Sequence, residues 1–302
     1  MSTQDTRSPS HAQPSASRHS LTRTVLLLPR PTPGHSSSAR PLRPVSSDFV
    51  GDAGLMQWHD LALADAWASV GGVLPRVHAI ACWSGGGGGD HEEERPGLFD
   101  ADPRSWGPAG LAALSSFVDG VVLPSLRRSS ARLWLRPHAR HVLCDSVRAE
   151  RFVLARVSAQ PAPGSTDALD AANAGGVRLM ADPSALLTRS MLARADDHFE
   201  RAMESIARVH SGGGLGAVVL TNIAGSVEDN VIAATDATPD PDAFTADDGP
   251  ALVPSPLHRG VLRPVDILGA LGRWLDPATP LVLLDDEVDE QLELLRASGV
   301  QV

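Results

Sequence analysis

The sequence predicts an α/β fold built on a parallel sheet, and three observations carry that prediction. Short apolar runs alternate with stretches of helical periodicity along most of the chain beyond residue 50, the order expected of consecutive strand–helix units. The chain has 302 residues, 42% of them hydrophobic, enough to bury a sizeable core. Helix-length segments separate the apolar runs, so neighbouring strands must run parallel through right-handed crossovers. Such a sheet either closes into a (β/α) barrel or stays open and doubly wound. About six strands are legible, against the eight of a full barrel, so a barrel here would be irregular or abbreviated in its first half.

The elements follow in order. Residues 1–50 are rich in Ser, Pro, Arg and His and lack periodicity, which predicts a disordered or loosely attached tail with a stray strand at Thr24–Leu28. The remainder, residues 51–302, is read as one domain. Gln57–Val70 carries apolar residues at helical spacing before Gly71-Gly72, and Val77–Trp83 is apolar enough for a buried strand. A loop through Gly85–Gly89 precedes a helix at Pro108–Val118. Strands follow at Leu133–Leu135 and Val177–Ala181. Thr188 is placed to cap an amphipathic helix through Leu192, Phe199 and Ile206. Ser211–Gly216 reads as a turn into a strand at Ala217–Leu220. Residues 222–256 are acidic and Pro-rich, an inserted loop. A helix at Pro264–Leu275, a strand at Leu281–Leu284 and a helix at Val288–Ala297 complete the chain.

Composition narrows the function. The formal net charge of −10 argues against nucleic acid and anionic membrane surfaces as partners. There is no Lys, which removes Schiff-base and P-loop chemistry, and there is no Tyr. Cys82 and Cys144 form no CxxC pair, and a reducing cytoplasm is their simplest setting. The apolar run Thr24–Leu28 is too short for a signal or membrane segment.

Two segments place polar residues where strands end. Leu135-Arg136-Pro137-His138-Ala139-Arg140-His141 sets two histidines three apart after one strand. Ala181-Asp182-Pro183-Ser184 ends another with a carboxylate, although that sequence is also an ordinary turn. Together with Pro256–Leu262 and the strand Leu281–Leu284 before Asp285-Asp286, these segments resemble the xylose-isomerase-like barrel superfamily of sugar isomerases and epimerases. The resemblance runs from Leu133 to Gly299 and favours a (β/α) TIM-type barrel.

The resemblance implies a divalent metal, Mn²⁺ or Mg²⁺, held by acids and a histidine at the strand ends, with a sugar or sugar phosphate as ligand. On that reading Asp182 and Asp285 are the metal candidates. Asp182, His138 and His141 are the catalytic ones, and Arg136 grips an anionic group. The match is incomplete. Arg136 stands where the family carries Glu, Ala185 replaces a His or Asn, and Thr221-Asn222 occupies the place of a ligand His. These departures leave two expectations: an isomerase or epimerase-like protein with weakened or lost catalysis, or a non-catalytic binding or scaffold barrel. Arg136 and Asp182, ending successive strands, are expected to form an ion pair.

Overall fold

The computed structural model describes residues 23–28, 40–44, 55–58, 79–85, 103–126, 131–158, 176–224, 252 and 254–302. Among them, eight strands form a closed ring. In chain order these are β1 (Val25–Leu28), β2 (Arg40–Pro44), β3 (Leu55–Trp58), β4 (Ala79–Trp83), β5 (Arg132–Arg136), β6 (Val177–Ala181), β7 (Leu215–Val219) and, near the C-terminus, β10 (Leu281–Leu284). The ring runs β1-β10-β7-β6-β5-β4-β3-β2, and β8 (Thr221–Ile223) with β9 (Pro254–Pro256) makes a separate hairpin. Every ring pairing is parallel except those of β2, which is antiparallel to both β1 and β3. The fold is therefore an α/β barrel, irregular in its first half.

Side chains in a strand alternate between faces, and that alternation sorts the core into two sets. Leu26, Leu28, Ala79, Ala81, Trp134, Met180, Ala217, Val219, Val282 and Leu284 form one buried cluster, the filling of the barrel. The residues between them, such as Ile80, Leu133, Leu135, Leu179, Val218 and Leu283, pack outward with the helices. The register shifts once. Leu179 pairs with Leu215 and Met180 with Ala217, leaving Gly216 as the extra residue of a bulge on β7. A Cβ at Gly216 would lie 2.6 Å from the Trp134 indole, so only glycine fits beside the largest side chain of the filling.

Among the described residues the longer helices of the outer layer are α1 (Pro108–Phe117), α2 (Ser146–Ser158), α3 (Ala195–Ser211), α4 (Pro264–Gly272) and α5 (Val288–Ala297). α1 continues through a π-turn at Val118–Val122 into Leu123–Leu126, where the Leu123 N–H bonds the Val118 carbonyl five residues back. The widened turn directly precedes Pro124, whose ring would crowd an ordinary helical turn. Pro108–Leu126 is long and apolar enough by length and composition to cross a membrane. In this fold its Leu114, Val118, Val122 and Leu126 are buried in the outer core. After α3 the chain turns at Gly212–Gly214, with Gly213 at φ +71°, as the glycine run predicts.

Several expectations need correction. Within residues 1–50, expected to be a loose tail, 25–28 form β1, hydrogen-bonded along its full length to β10 with Leu26 and Leu28 inside the barrel, and 40–44 form β2. The run Thr24–Leu28 is thus not a stray strand. The helix expected at Gln57–Val70 begins inside β3, and its residues 59–70 lie outside the described ones. Most of the expected inserted loop, 225–251, lies outside them too, while its two ends pair as β8 and β9. Thr188 does not cap a long helix. A 3-10 segment, Arg189–Arg194, intervenes, and the Thr188 hydroxyl contacts Ser190 Oγ at 2.9 Å.

Deleting residues 1–28 removes two interior side chains and leaves β10 unpaired on one edge. The expected result is loss of cooperative thermal unfolding. A truncated chain melting cooperatively within about 2 °C of the intact one, the shift of about 1 kcal/mol at this chain length, would show β1 to be dispensable.

Candidate functional site

The barrel filling changes character at the C-terminal ends of the strands, the end where barrel enzymes place their sites. Continuing the inward phase by two residues along each strand leads from Ala81 to Trp83, from Trp134 to Arg136, from Met180 to Asp182 and from Val219 to Thr221. All four are buried, Arg136 at 2% and Asp182 at 1% exposure. Among the described residues an ion pair therefore occupies the inward face at this end of β5 and β6.

Asp182 is saturated. Its Oδ2 accepts a hydrogen bond from Arg136 Nε at 2.8 Å and a second, very short one from Nη2. Its Oδ1 accepts from the Ser184 hydroxyl at 2.8 Å, the Thr221 hydroxyl at 3.0 Å and the Ala185 N–H at 3.2 Å. The two hydroxyls also touch one another, so with one proton each they fill at most two of those three contacts at a time. The Arg136 guanidinium lies over the Trp83 ring, 3.9 Å from its centroid, a cation–π contact in a site that excludes water. Burial lowers the Arg136 pKa, and the Asp182 charge and hydrogen bond oppose that shift. Its Nη1 is buried and makes no hydrogen bond.

His138 and His141 sit against the other edges of Trp83, each ring centroid 5.4 Å away and nearly perpendicular to it, and 4.9 Å from one another. Both are buried. The Arg140 N–H donates to His138 Nδ1 at 3.1 Å, which fixes that nitrogen as an acceptor. Burial, followed by the charges of His141, Arg136 and Arg140, holds the His138 pKa well below the ordinary histidine range. His138 is thus a neutral imidazole whose Nδ1 lone pair already serves the backbone.

The remaining expected residues do not join this set. Asp285 continues the outward phase of Leu281 and Leu283; its N–H bonds the Leu28 carbonyl at 2.8 Å, and it is not among the partners of Asp182. Asn222 organises a loop instead of a ligand. Its Nδ2 donates to the carbonyls of Leu257 and Leu262, and its Oδ1 accepts from the Ile223 and Leu262 N–H groups. That closes the stretch Pro256–Leu262 around it, with Gly260 at φ +128° and no room for a Cβ beside the Ile223 carbonyl. Among the described residues no three His, Cys, Asp or Glu side chains gather to hold a metal ion. With both oxygens of Asp182 engaged, the described residues do not fit the metal that the resemblance implies. A crevice lined by His138, Ser184, Asn222 and Leu252 has a volume of about 10 Å³, room for about one water. Arg136, expected to grip a ligand, has Asp182 as its anion.

Trp83, Ser184 and Thr221 belong to the site without having been singled out in the sequence. The signal for Trp83 was present in the alternation Ala79, Ala81, Trp83. Thr221 was hidden by the bulge at Gly216.

No protein-family model matches the chain, and no curated protein matches it. Among solved structures it is similar to a xylose isomerase domain protein from Planctomyces limnophilus, at TM-score 0.43 and 10% identity, covering 80% of this chain and 67% of that one. It is similar also to a xylose isomerase-like TIM barrel protein from Mycobacterium smegmatis in complex with magnesium, at TM-score 0.43 and 10% identity, covering 79% and 68%.

Two outcomes follow from the geometry. Arg136→Met alone strands a buried carboxylate and should cost about 3–5 kcal/mol of stability by urea unfolding, whereas Arg136→Met with Asp182→Leu should recover most of that loss. Equal losses in both variants would show that the pair itself, not the stranded charge, carries the energy. The second outcome concerns pH. His138 stays neutral in the fold while the unfolded chain protonates it below about pH 6.5. Unfolding then takes up a proton, so stability is full above that value and falls as pH drops below it. His138→Gln should flatten the fall between pH 6.5 and 5, read from thermal melts in matched buffers.

Proposed function

We propose that this chain is a non-catalytic member of the isomerase- and epimerase-like barrels, serving as a binding or scaffold protein. The observation that supports the reading is the Arg136–Asp182 pair. Metal-dependent sugar isomerisation needs several convergent acids to hold a dication and a free carboxylate or imidazole to move a proton. Here a guanidinium takes the dication's place beside the carboxylate, five donors surround Asp182, and the His138 Nδ1 lone pair is committed to a backbone amide. A fixed monocation stabilises Asp182 but offers no open coordination position and no Lewis acidity. On this reading His138, His141 and Arg136 hold the barrel mouth closed rather than act on a sugar.

Calorimetric titration of Mn²⁺ and of Mg²⁺ into the full chain at neutral pH tests this. No stoichiometric heat is expected at micromolar protein. A single site of micromolar affinity, about −8 kcal/mol, would overturn the reading and restore a metal-dependent isomerase.

A further inference from the structure

On the outside of the barrel, away from the strand ends, α3 and α4 diverge and leave a groove of about 720 Å³. Its floor is apolar: Phe199, Met203 and Ala207 from α3, Ala270 and Trp274 from α4 and the turn after it. Val265, 67% exposed, stands on its rim. A Cβ added at Gly269 would meet no atom within 4 Å, so the α4 wall is open at that position, between Asp266 and Arg273.

The α3 wall is acidic, while the opposite side carries Arg273 and Arg263, the latter paired with Asp266. Asp196, Glu200 and Glu204 line the groove at intervals of four residues, all three exposed. Asp196 lies in the first turn of α3, where an acid suits the helix dipole. Glu200 and Glu204 lie beyond that turn. Arg208, one turn past Glu204, pairs instead with Glu150 on α2. Among the described residues neither glutamate forms an ion pair.

We propose that this groove docks a basic amphipathic helix of a partner protein. A spacing of four residues is about 6 Å along a helix, so three acids in register match Arg or Lys at every fourth position of a second helix laid alongside. Apolar side chains on the neighbouring stripe of that helix would enter between Phe199, Met203 and Trp274, the helix-in-groove mode of recognition. The wall of Gly269 and Ala270 lets the partner's backbone approach closely. Charge and shape thus select the same occupant, and the acidic wall disfavours an anionic lipid surface.

The test uses the full chain and a fluorescein-labelled model peptide of about three helical turns, with Arg at every fourth position beside a Leu stripe. A scrambled peptide of identical composition is the comparison, and fluorescence anisotropy is the readout. Saturable one-to-one binding of the patterned peptide is expected, at least tenfold tighter than the scrambled one. Glu200→Arg with Glu204→Arg should weaken it at least tenfold. Gly269→Leu should abolish it, with melting temperature unchanged because the added side chain meets open space. Equal binding of both peptides, or binding insensitive to Gly269→Leu, overturns the proposal. So does sedimentation showing a dimer of the full chain that Gly269→Leu dissociates, since the occupant would then be a second copy.

Discussion

A carboxylate buried at the end of a strand must be neutralised, and Arg136 does that for Asp182. An isolated charge in a low-dielectric interior costs several kcal/mol, and a partner repays this only when the geometry is good and the remaining lone pairs are filled. Both conditions hold, and they constrain much of the surrounding chain. Arg136 needs Trp83 beneath it, which fixes the end of β4. Asp182 needs hydroxyls from Ser184 and Thr221, which fixes the turn after β6 and the residue following β7. His138 and His141 meet Trp83 in perpendicular ring contacts, and burial keeps His138 uncharged there. At the ends of β4 to β7 the described residues thereby form a buried polar layer resting on an apolar filling.

The strand ends present a cation, a carboxylate and hydroxyls on one inward face, and the cation is covalently part of the chain. A metal ion leaves coordination positions for substrate, whereas a guanidinium directs its donors to a carboxylate and, here, covers an aromatic ring with its face.

Much of this was legible in the sequence because it depends on local signals. β4 and β10 are uninterrupted apolar runs, and β5, β6 and β7 are apolar apart from Arg132 and Arg136, Arg178 and Gly216, the form of strands buried on both faces. The Arg136–Asp182 pair could be anticipated because each residue immediately ends or follows one of two successive strands. β2 could not be read: Arg40-Pro41-Leu42-Arg43-Pro44 contains two prolines and two arginines, which local propensity assigns to a loop. Only its place between β1 and β3, closing the ring in the antiparallel sense, makes it a strand. β3 was obscured because Gln57 and Trp58 also begin a helical periodicity. The roles of Trp83, Ser184 and Thr221 required knowing which residue of one strand faces which residue of the next, and register is a tertiary property.

Gly216 shows how much rests on register. Pleat phase has only two values, so a strand end cannot be adjusted by degrees. Were β7 regular, Ala217 would turn toward the helices, Leu220 would arrive where Thr221 now meets Asp182, and the Thr221 hydroxyl would be turned toward the helices. One residue looped out of the ladder exchanges a hydrocarbon for a hydrogen-bond donor at a buried charge some five positions downstream. At this strand the composition of the barrel mouth is therefore governed by insertion and deletion as much as by substitution. A lineage could acquire or lose the polar layer here in a single codon's gain or loss, without changing any residue that touches Asp182.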